Sequence, residues 1–374
     1  MYNPNTGIDL KKINRNRIFR LIYKKGQLSK QDIVQSLNIS LPTVSQNLKV
    51  LKEAGLIKEE GCFASTGGRK ARVIACNPAA RFSIGVDITK SHVAIAAIDL
   101  CATIVKNTHI SIPFENSKEY FRTLGKYIDQ FTEDPQIDRS KILGVGISVP
   151  GLLSEDHQNI TYASVLGFTD GSLNSFAQFI PYPCVLSNDA SAAALAELWN
   201  RDNSDNIVYL SLSNSVGGAI LLGKKFYPGE NQRSAEFGHM TIVPGGRRCY
   251  CGQYGCSDAY CNASILSDTT NGRLDEFFKQ LDAESVQHKD VWKKYVHYLT
   301  IMINNLRMMF DCRVILGGYV GSYMGSHIEP LKKKAALHNS FERDGSYLEI
   351  CRYKKDSSAV GAALLHIETF INNV

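Results

Sequence analysis

The 374-residue sequence contains no apolar run that approaches the roughly 20 residues of a membrane-spanning helix. Its first residues, Met-Tyr-Asn-Pro-Asn-Thr, also lack the charged-then-apolar pattern of a secretory signal. Three of the ten cysteines stand at metal-binding spacing, which favours a reducing cytoplasm over a disulfide framework. The apolar content of 44% and the charged content of 21% are typical of a soluble globular protein. The sequence therefore predicts a cytoplasmic protein without a membrane segment, long enough for more than one domain.

Charge is unevenly distributed along the chain. Residues 1–75 carry 14 Lys and Arg against 5 Asp and Glu, a net charge of +9. The remainder carries 28 against 31, a net charge of −3. A basic head on a mildly acidic body is typical of a nucleic-acid-binding module that is joined to another domain.

The basic head has the pattern of a winged helix-turn-helix. Apolar residues recur at helical spacing from Ile13 to Tyr23, and Ser29 is a good N-cap for a second, shorter helix. Ser40 caps a third helix, where Pro42 occupies the first turn and needs no amide donor. Residues 56–62 and 72–76 read as the two strands of a wing that follows these helices.

Two parts of this head are predicted to contact DNA. Short polar side chains on the third helix suit base edges in the major groove, and a basic, glycine-rich wing tip suits phosphates or the minor groove. The predicted DNA-binding residues are Thr43, Ser45, Gln46, Asn47 and Lys49 on exposed faces of the third helix, and Arg69 and Lys70 at the tip. The alternative is a three-helix protein-interaction domain with a solvated basic face.

The stretch from Glu236 to Cys256 collects metal-binding side chains in glycine-rich chain. Thiolates and an imidazole are the ligands that a structural zinc ion selects, and four of them close its tetrahedral shell. The predicted ligands are His239, Cys249, Cys251 and Cys256, with Cys261 as a spare candidate. A closed shell leaves no position for an activated water, so the prediction is structural Zn2+. Incidental, unpaired cysteines are the alternative.

The body that follows Asn77-Pro78 repeats one pattern. Three β-rich segments, a helix, a strand such as Ile142–Val149, and a further helix occupy residues 82–199, and a similar succession starts at residue 207. Two such units make two α/β lobes with a cleft between them. We predict a winged helix-turn-helix at 1–77, a first lobe at 78–197 with the C-terminal helix 356–374, and a second lobe with the zinc site at 198–355.

The run Glu-x-Gly-His followed by Cys-x-Cys-Gly-x-x-Gly-Cys resembles the signature of the ROK family, which groups sugar-responsive repressors with sugar kinases. The resemblance covers nearly the whole chain. The wing run Ser-Thr-Gly-Gly-Arg-Lys resembles the heads of ROK repressors, the branch of the N-acetylglucosamine and xylose repressors, and ROK kinases lack this head. The implied fold class is α/β, with a two-lobed actin-like, sugar-kinase (ribonuclease H-like) ATPase fold after the winged helix-turn-helix.

The resemblance also implies a sugar site. Asn188 and Asp189 match the family's sugar-binding pair, in which the Asp is the general base of the kinases. Glu236 and His239 match further sugar contacts, and Asp258 stands where the family has a longer Glu. Carboxylates and amides suit a polyol because each can hold two hydroxyls in fixed geometry. A helix cap at Asn188-Asp189 is the structural alternative.

The phosphate loops depart from the kinase pattern. Kinases of this fold read Asp-x-Gly-Gly-Thr-Lys and Gly-Thr-Gly-x-Gly-Gly-Gly, where the glycines let backbone amides close on phosphate oxygens. Here the glycine positions carry Thr89 and Lys90 in the first loop and Ser213 and Ser215 in the second. Gly317-Gly318, where the family meets adenosine, is also consistent with a simple turn.

The sequence therefore predicts a DNA-binding transcriptional repressor, not an enzyme, whose body binds a sugar or sugar derivative. A homodimer or homotetramer is expected, since paired half-sites are how such heads gain affinity. The alternatives are a zinc-containing, ATP-dependent sugar kinase and a repressor that is controlled by a protein partner.

Overall fold

The computed structural model describes residues 7–63, 70–199, 201, 206–223, 225–353 and 355–374. The chain forms two compact units, one of residues 1–148, 172–186 and 362–374 and one of residues 149–171 and 187–361. This partition differs from the three domains set out above, which stay a prediction. None of the described helices is long and apolar enough to cross a membrane.

The head folds as three helices and a small antiparallel sheet, as predicted. Its elements are α1 (Gly7–Lys25), β1 (Gln27–Leu28), α2 (Lys30–Leu37), α3 (Leu41–Glu53), β2 (Ile57–Cys62) and β3 (Arg72–Cys76), with strand order β1-β3-β2. Ser29 Oγ accepts the Asp32 amide at 3.1 Å while Asp32 Oδ2 accepts the Ser29 amide at 2.8 Å, a capping box. Ser40 caps α3 by accepting the Thr43 amide at 3.4 Å. These caps fix where the two short helices begin.

A five-stranded mixed sheet forms the core of the first unit. The next elements along the chain are β4 (Phe82–Ile88), β5 (Val93–Asp99), β6 (Ile104–Ile110), α4 (Lys118–Thr132), β7 (Ile142–Val149), β8 (Leu152–Leu153), β9 (Asn159–Tyr162), β10 (Gly171–Ser172), α5 (Leu173–Ala177) and β11 (Cys184–Asn188). Of these, β8 and β9 belong to the second unit. The strand order is β11-β7-β4-β5-β6. Strand β4 pairs antiparallel with β5 and parallel with β7. Every residue of β5 is buried, which is typical of a strand covered on both faces.

The second unit contains a sheet of the same topology. Its elements are α6 (Asp189–Leu198), β12 (Ile207–Leu212), β13 (Val216–Leu222), β14 (Lys225–Phe226), α7 (Asp258–Cys261), α8 (Ser264–Ser267), α9 (Leu274–Asp282), α10 (Val286–Phe310), β15 (Arg313–Gly317), α11 (Gly318–Gly321), α12 (Ile328–His338) and β16 (Leu348–Ile350). The order β14-β13-β12-β15-β16 repeats that of the first sheet, so the predicted repetition is confirmed.

The last helix, α13 (Ser357–Asn373), packs closely within the first unit through its C-terminal part. A Cβ atom added to Gly146 of β7 would lie 2.0 Å from the Ala362 carbonyl oxygen, so only glycine permits this approach. Ser83 Oγ of β4 donates to the Ala363 carbonyl at 2.8 Å. At the other end, Asn16 of α1 donates to the Ile371 carbonyl at 2.7 Å. The head's first helix is therefore bonded to the end of α13.

Candidate functional site

The four predicted metal ligands converge. One ligand atom from each of His239, Cys249, Cys251 and Cys256 lies within 4.8 Å of all the others. Cys251 Sγ and Cys256 Sγ are 3.8 Å apart, and Cys249 Sγ is 3.9 Å from His239 Nδ1. A tetrahedral zinc ion with bonds of about 2.3 Å to sulfur requires ligand atoms roughly 3.8 Å apart. The donor set and its spacing therefore fit one zinc ion.

Tight backbone turns bring these side chains together. The Gly252 amide donates to the Cys249 carbonyl at 3.0 Å, and Gly252 has a φ of +91°, a conformation that favours glycine. Gly255 has a φ of +82°, and a Cβ there would lie 1.9 Å from the Val243 carbonyl oxygen. Isolated antiparallel β-bridges pair Thr241 with Cys256 and Arg248 with Tyr254. The glycines are thus required for the ligand geometry.

Cys261, the spare candidate, lies outside this cluster. Its thiol is completely buried in the hydrophobic core of the second unit. Tyr295 Oη donates to the Cys261 carbonyl at 2.6 Å, which fixes the backbone of α7 against α10. Cys261 is therefore part of the core packing.

The His239 ring presents its two nitrogens to different neighbours. Nδ1 faces the sulfur of Cys249, whereas Nε2 lies 3.3 Å from Tyr250 Oη and 4.0 Å from Glu236 Oε2. A metal bound at Nδ1 would thus hold the ring with Nε2 turned toward a carboxylate. The sequence interpretation missed Tyr250, for which its position between two ligand cysteines is the available signal.

Asn188 both caps a helix and orients its neighbour. Its Oδ1 accepts the Ser191 amide at 3.0 Å at the start of α6. Its Nδ2 donates to the Gly151 carbonyl and to Asp189 Oδ1, both at 3.1 Å. Asn188 is therefore the N-cap of α6, and the same side chain holds the carboxylate of Asp189 in place.

Burial perturbs the carboxyl groups near this cap. It raises the pKa of Asp189 to about 6, and the negative charge of Glu236 raises it further. Burial also raises the pKa of Glu236, while the His239 ring opposes that rise. Glu236 keeps 44% of its side chain exposed, so its carboxylate is open to hydroxyl donors from a ligand.

Asp258, one of the predicted sugar contacts, is buried and bonded within the protein. Its side chain is only 3% exposed, and its Oδ1 accepts the Val216 amide at 2.6 Å. Asn262 Nδ2 donates to the other oxygen at 3.3 Å. Both carboxylate oxygens thus have bonds that hold α7 to the start of β13.

Hydrogen bonds among its own residues close the turn between β4 and β5. Thr89 Oγ1 accepts the His92 amide at 3.1 Å and donates to the His92 carbonyl at 2.8 Å. The Thr89 amide in turn donates to the His92 carbonyl at 3.0 Å. Both of these backbone amides are therefore bonded within the turn.

The turn between β12 and β13 is closed in a similar way. Ser213 Oγ accepts the Tyr319 amide at 3.4 Å, and the Ser213 amide donates to the Ser215 carbonyl at 3.3 Å. Gly318, with a φ of +72°, would place a Cβ only 2.6 Å from Ser213 Oγ. A serine hydroxyl thus fills the space beside the first turn of α11.

Helix α3 presents most of its predicted DNA contacts to solvent. Gln46 and Lys49 are exposed, and Thr43 and Ser45 are half-buried. The prediction that Asn47 is exposed is wrong, because its side chain is 7% exposed and donates to the Thr43 carbonyl at 2.8 Å. Asn47 shares the buried face of Val44 and Leu51 at helical spacing.

One of the two predicted DNA contacts of the wing lies among the described residues. Lys70 is exposed just before β3. Arg69, the other predicted residue of the tip, lies outside the described residues. Next to the tip, Glu59 of β2 pairs with Arg72 and Lys52, so acidic charge on the wing is partly neutralised.

Sequence comparison identifies both parts of the chain. Residues 83–369 match the model of the ROK family, and residues 12–58 match a model of winged helix-turn-helix DNA-binding domains. The chain belongs to the ROK family. The predicted family is therefore confirmed, and the three helices and small antiparallel sheet of the head agree with the winged helix-turn-helix match.

Several ROK proteins are similar over most of their length. A xylose repressor from Bacillus spizizenii is 27% identical over 384 residues, which cover 98% of this chain and 97% of the repressor. The DNA-binding transcriptional dual regulator NagC of Escherichia coli is 28% identical over 270 residues, 71% of this chain and 66% of the regulator.

Solved ROK structures share the fold. A ROK transcriptional regulator homologous to the E. coli MLC protein superposes with a TM-score of 0.75 at 21% identity, covering 97% of both chains. A ROK glucokinase from Streptomyces griseus, in complex with glucose and AMPPNP, superposes with a TM-score of 0.65 at 22% identity, covering 76% of this chain and 98% of the kinase. The body of this ROK protein therefore has a fold that repressors and kinases share.

Proposed function

We propose that this ROK protein is a transcriptional repressor that binds operator DNA through its winged head and a sugar through its body. One observation carries this conclusion. A DNA-binding head is joined to a sugar-kinase fold in which the hydroxyls of Thr89 and Ser213 bond backbone amides at the two turns that match the kinases' phosphate loops, while Asn188 holds the carboxylate of Asp189 in place. DNA binding and sugar binding without phosphoryl transfer fit this arrangement. A protein that acts on DNA in this way works in the cytoplasm.

The effector we propose is a monosaccharide or its derivative. Asn188, Asp189, Glu236 and His239 would hold its hydroxyls, since carboxylates accept and the imidazole Nε2 can donate or accept. Asp258 is a more distant candidate, because both of its oxygens already have protein partners. One relative is named xylose repressor, and an E. coli protein that is as similar to this chain as NagC is named N-acetylglucosamine repressor. These names suggest a pentose and an acetylated amino sugar as first probes.

Zinc in this proposal has a structural role. His239, Cys249, Cys251 and Cys256 would supply a closed shell, with no position for a reactive water. When bound, the ion supplies folding free energy and charge neutralisation of the thiolates. The chain's own contribution is to place His239 Nε2 beside Glu236, where both face the proposed sugar.

The head would read DNA in two ways. Thr43, Ser45 and Gln46 of α3 are placed for base edges, with Lys49 beside them. Lys70, with Arg69, would hold phosphates at the wing and so add affinity without sequence preference. We propose a homodimer or homotetramer, because two heads on two half-sites give both affinity and specificity.

A single helix offers a route from the sugar site to the head. At the start of α13, Ser358 Oγ donates to the Asp189 carbonyl at 3.2 Å. At its end, Asn372 accepts from Arg20 and the Ile371 carbonyl accepts from Asn16, both on α1. We propose that sugar shifts the equilibrium between two arrangements by binding one of them better, and that α13 transmits the difference.

The domain organisation we propose follows this division of labour. Residues 1–77 would bind DNA, residues 78–197 with 356–374 would form the first lobe, and residues 198–355 would form the second lobe with the zinc site. Limited proteolysis should cut near residue 77 if the head is a separate domain.

One observation favours a kinase as the second candidate. A carboxyl with a pKa of about 6, as at Asp189, is well matched to a general base near neutral pH. A coupled assay for ADP over xylose, glucose and N-acetylglucosamine tests this. We expect no sugar-dependent ADP, and production that Asp189→Asn abolishes would establish the kinase.

DNA binding tests the repressor directly. Operators selected from a random duplex library should bind the full-length protein, and one of xylose, N-acetylglucosamine or their phosphates should change that affinity. Operator binding that ignores every sugar would point instead to control by a protein partner.

A further inference from the structure

Two cysteines from separate parts of the sequence meet where the winged head joins the first sheet. Cys76 is the last residue of β3, and Cys101 lies in the turn between β5 and β6. The two thiols lie near enough for each to shift the pKa of the other. The backbones beside them are also joined, because the Leu100 amide donates to the Pro78 carbonyl at 3.0 Å. The thiols are therefore held together by the fold of a single unit.

Both sides of this contact are anchored. On the wing side, the Asn77 amide donates to the Leu56 carbonyl at 2.9 Å, and Asn77 Nδ2 donates to the Gly55 carbonyl at 2.8 Å. On the sheet side, Asp99 Oδ1 accepts the Cys101 amide at 2.9 Å. A bond between the two sulfurs would thus connect two rigid pieces of backbone.

The two thiols differ in reactivity. Cys76 is 7% exposed, whereas Cys101 is half-buried and more accessible. The hydrogen bond from Cys76 lowers the pKa of Cys101, and the same contact together with burial raises the pKa of Cys76. A thiolate is the nucleophile in cysteine oxidation. Cys101 is therefore placed to react first and Cys76 to resolve the product.

We propose that Cys76 and Cys101 are a redox-active pair that a peroxide closes into a disulfide, locking the wing to the first sheet. The Cys101 thiolate attacks one peroxide oxygen, an S–O bond forms, the O–O bond breaks, and the leaving hydroxide takes up a proton to give water. The Cys76 sulfur then attacks the sulfenic sulfur, losing its proton as an S–S bond forms and the second water leaves. The peroxide is reduced and two thiols are oxidised; an external dithiol reverses the reaction by exchange.

The regulatory consequence rests on the repressor function proposed above. The disulfide closes a loop that contains β4 and β5 and ties the end of β3 to it, so the head loses freedom to move relative to the first sheet. Transient disulfides of this kind are the form that oxidation sensing takes in reducing compartments. Oxidised protein keeps its sugar affinity, but its operator affinity no longer responds to sugar.

Peptide mapping of zinc-loaded, full-length protein tests the chemistry. Hydrogen peroxide should produce a linked Cys76–Cys101 peptide that has lost two hydrogen atoms and that dithiothreitol separates. Cys76→Ser should instead leave a sulfenic acid at Cys101 that dimedone traps, and Cys101→Ser should give neither product. Cys62→Ser, at an exposed cysteine of the same wing, should behave as the unaltered protein. Absence of the linked peptide, or a dimedone adduct confined to other cysteines, overturns the pair.

Operator binding tests the consequence. In reduced protein, sugar should change operator affinity by about fivefold or more, and oxidation should abolish that change only when both cysteines are present. Zinc content is measured in parallel, so that loss of metal is recognised. A full sugar response in protein mapped as disulfide-bonded overturns the regulatory role. Reduced protein that binds neither sugar nor operator refutes the repressor function and leaves the mapped disulfide standing.

Discussion

The two turns that match the kinases' phosphate loops and the residues proposed to bind sugar use their polar groups in opposite ways. In these turns, the Thr89 hydroxyl accepts the His92 amide, and the Ser213 hydroxyl accepts the Tyr319 amide. Among the proposed sugar-binding residues, burial and the charge of Glu236 raise the pKa of Asp189 to about 6, and burial raises the pKa of Glu236. Holding such groups costs stability, whereas closing a turn adds to it. The difference fits the proposal that the body recognises a sugar and not a nucleotide.

The largest effect is expected when the proposed zinc ion, which would support the sugar-binding residues, is removed. Cys251→Ala should lose about one zinc per chain and lower the free energy of unfolding by several kcal/mol, since the binding energy of a structural zinc is folding energy. Elemental analysis and denaturant unfolding measure both. Cys62→Ala, at an exposed cysteine, is the matched control. If the parent protein contains no zinc and is no more stable than the Cys251→Ala variant, the proposed metal centre is refuted.

The next effect separates ligand contacts from structural carboxylates. Asp189→Asn and Glu236→Gln should each weaken sugar binding about 10–100-fold, because a charged acceptor is replaced by a neutral one. Asp258→Asn should mainly lower stability, through its bond to the Val216 amide. Calorimetric titration and thermal unfolding distinguish the two outcomes. Exposed Asp268→Asn should change neither, and a sugar affinity that tolerates Asp189→Asn would contradict the site.

A third effect concerns the dependence of stability on pH. The pKa of Asp189 is raised from 3.8 to about 6, so between these values the folded protein binds more protons than the unfolded chain. The free energy of unfolding must therefore fall as pH rises through this window. Asp189→Asn removes that penalty and should gain about 1–2 kcal/mol relative to the parent above pH 6, allowing for partial exposure. A constant difference between the two proteins from pH 4 to 7 would show that Asp189 is well solvated.

The smallest effect is expected in the turn between β4 and β5, which matches the first phosphate loop of the kinases. Thr89→Ala removes the hydroxyl that closes the turn between β4 and β5, and should cost about 1 kcal/mol. Ser91→Ala, at an exposed position of the same turn, should cost little. Denaturant unfolding measures both. Equal costs would mean that Thr89 does not hold the turn, and the argument against phosphate binding there would weaken.

The sequence predicted the regular elements well, because their signals are local. The caps Ser29 and Ser40, and the apolar run of β7, lie where periodicity and capping chemistry place them. The short strands β8, β10 and β16 were missed, since two or three residues have no detectable period. Family resemblance, not periodicity, supplied the sugar residues.

Other features depend on contacts that no local pattern encodes. Asn47 was misplaced because a polar residue was assigned to solvent, although its spacing from Val44 and Leu51 places it on the buried face. The role of Tyr250 beside His239 and the meeting of Cys76 with Cys101 follow only from the folded chain.

The central claim is that one protein binds operator DNA and sugar, and that each changes the affinity for the other. Titrating the sugar found in the operator screen, with and without saturating operator, measures this coupling directly. Linkage requires operator to change sugar affinity by the same factor by which sugar changes operator affinity, typically about 5–150-fold. Matching factors would support the account, and equal sugar affinity in both titrations would contradict it.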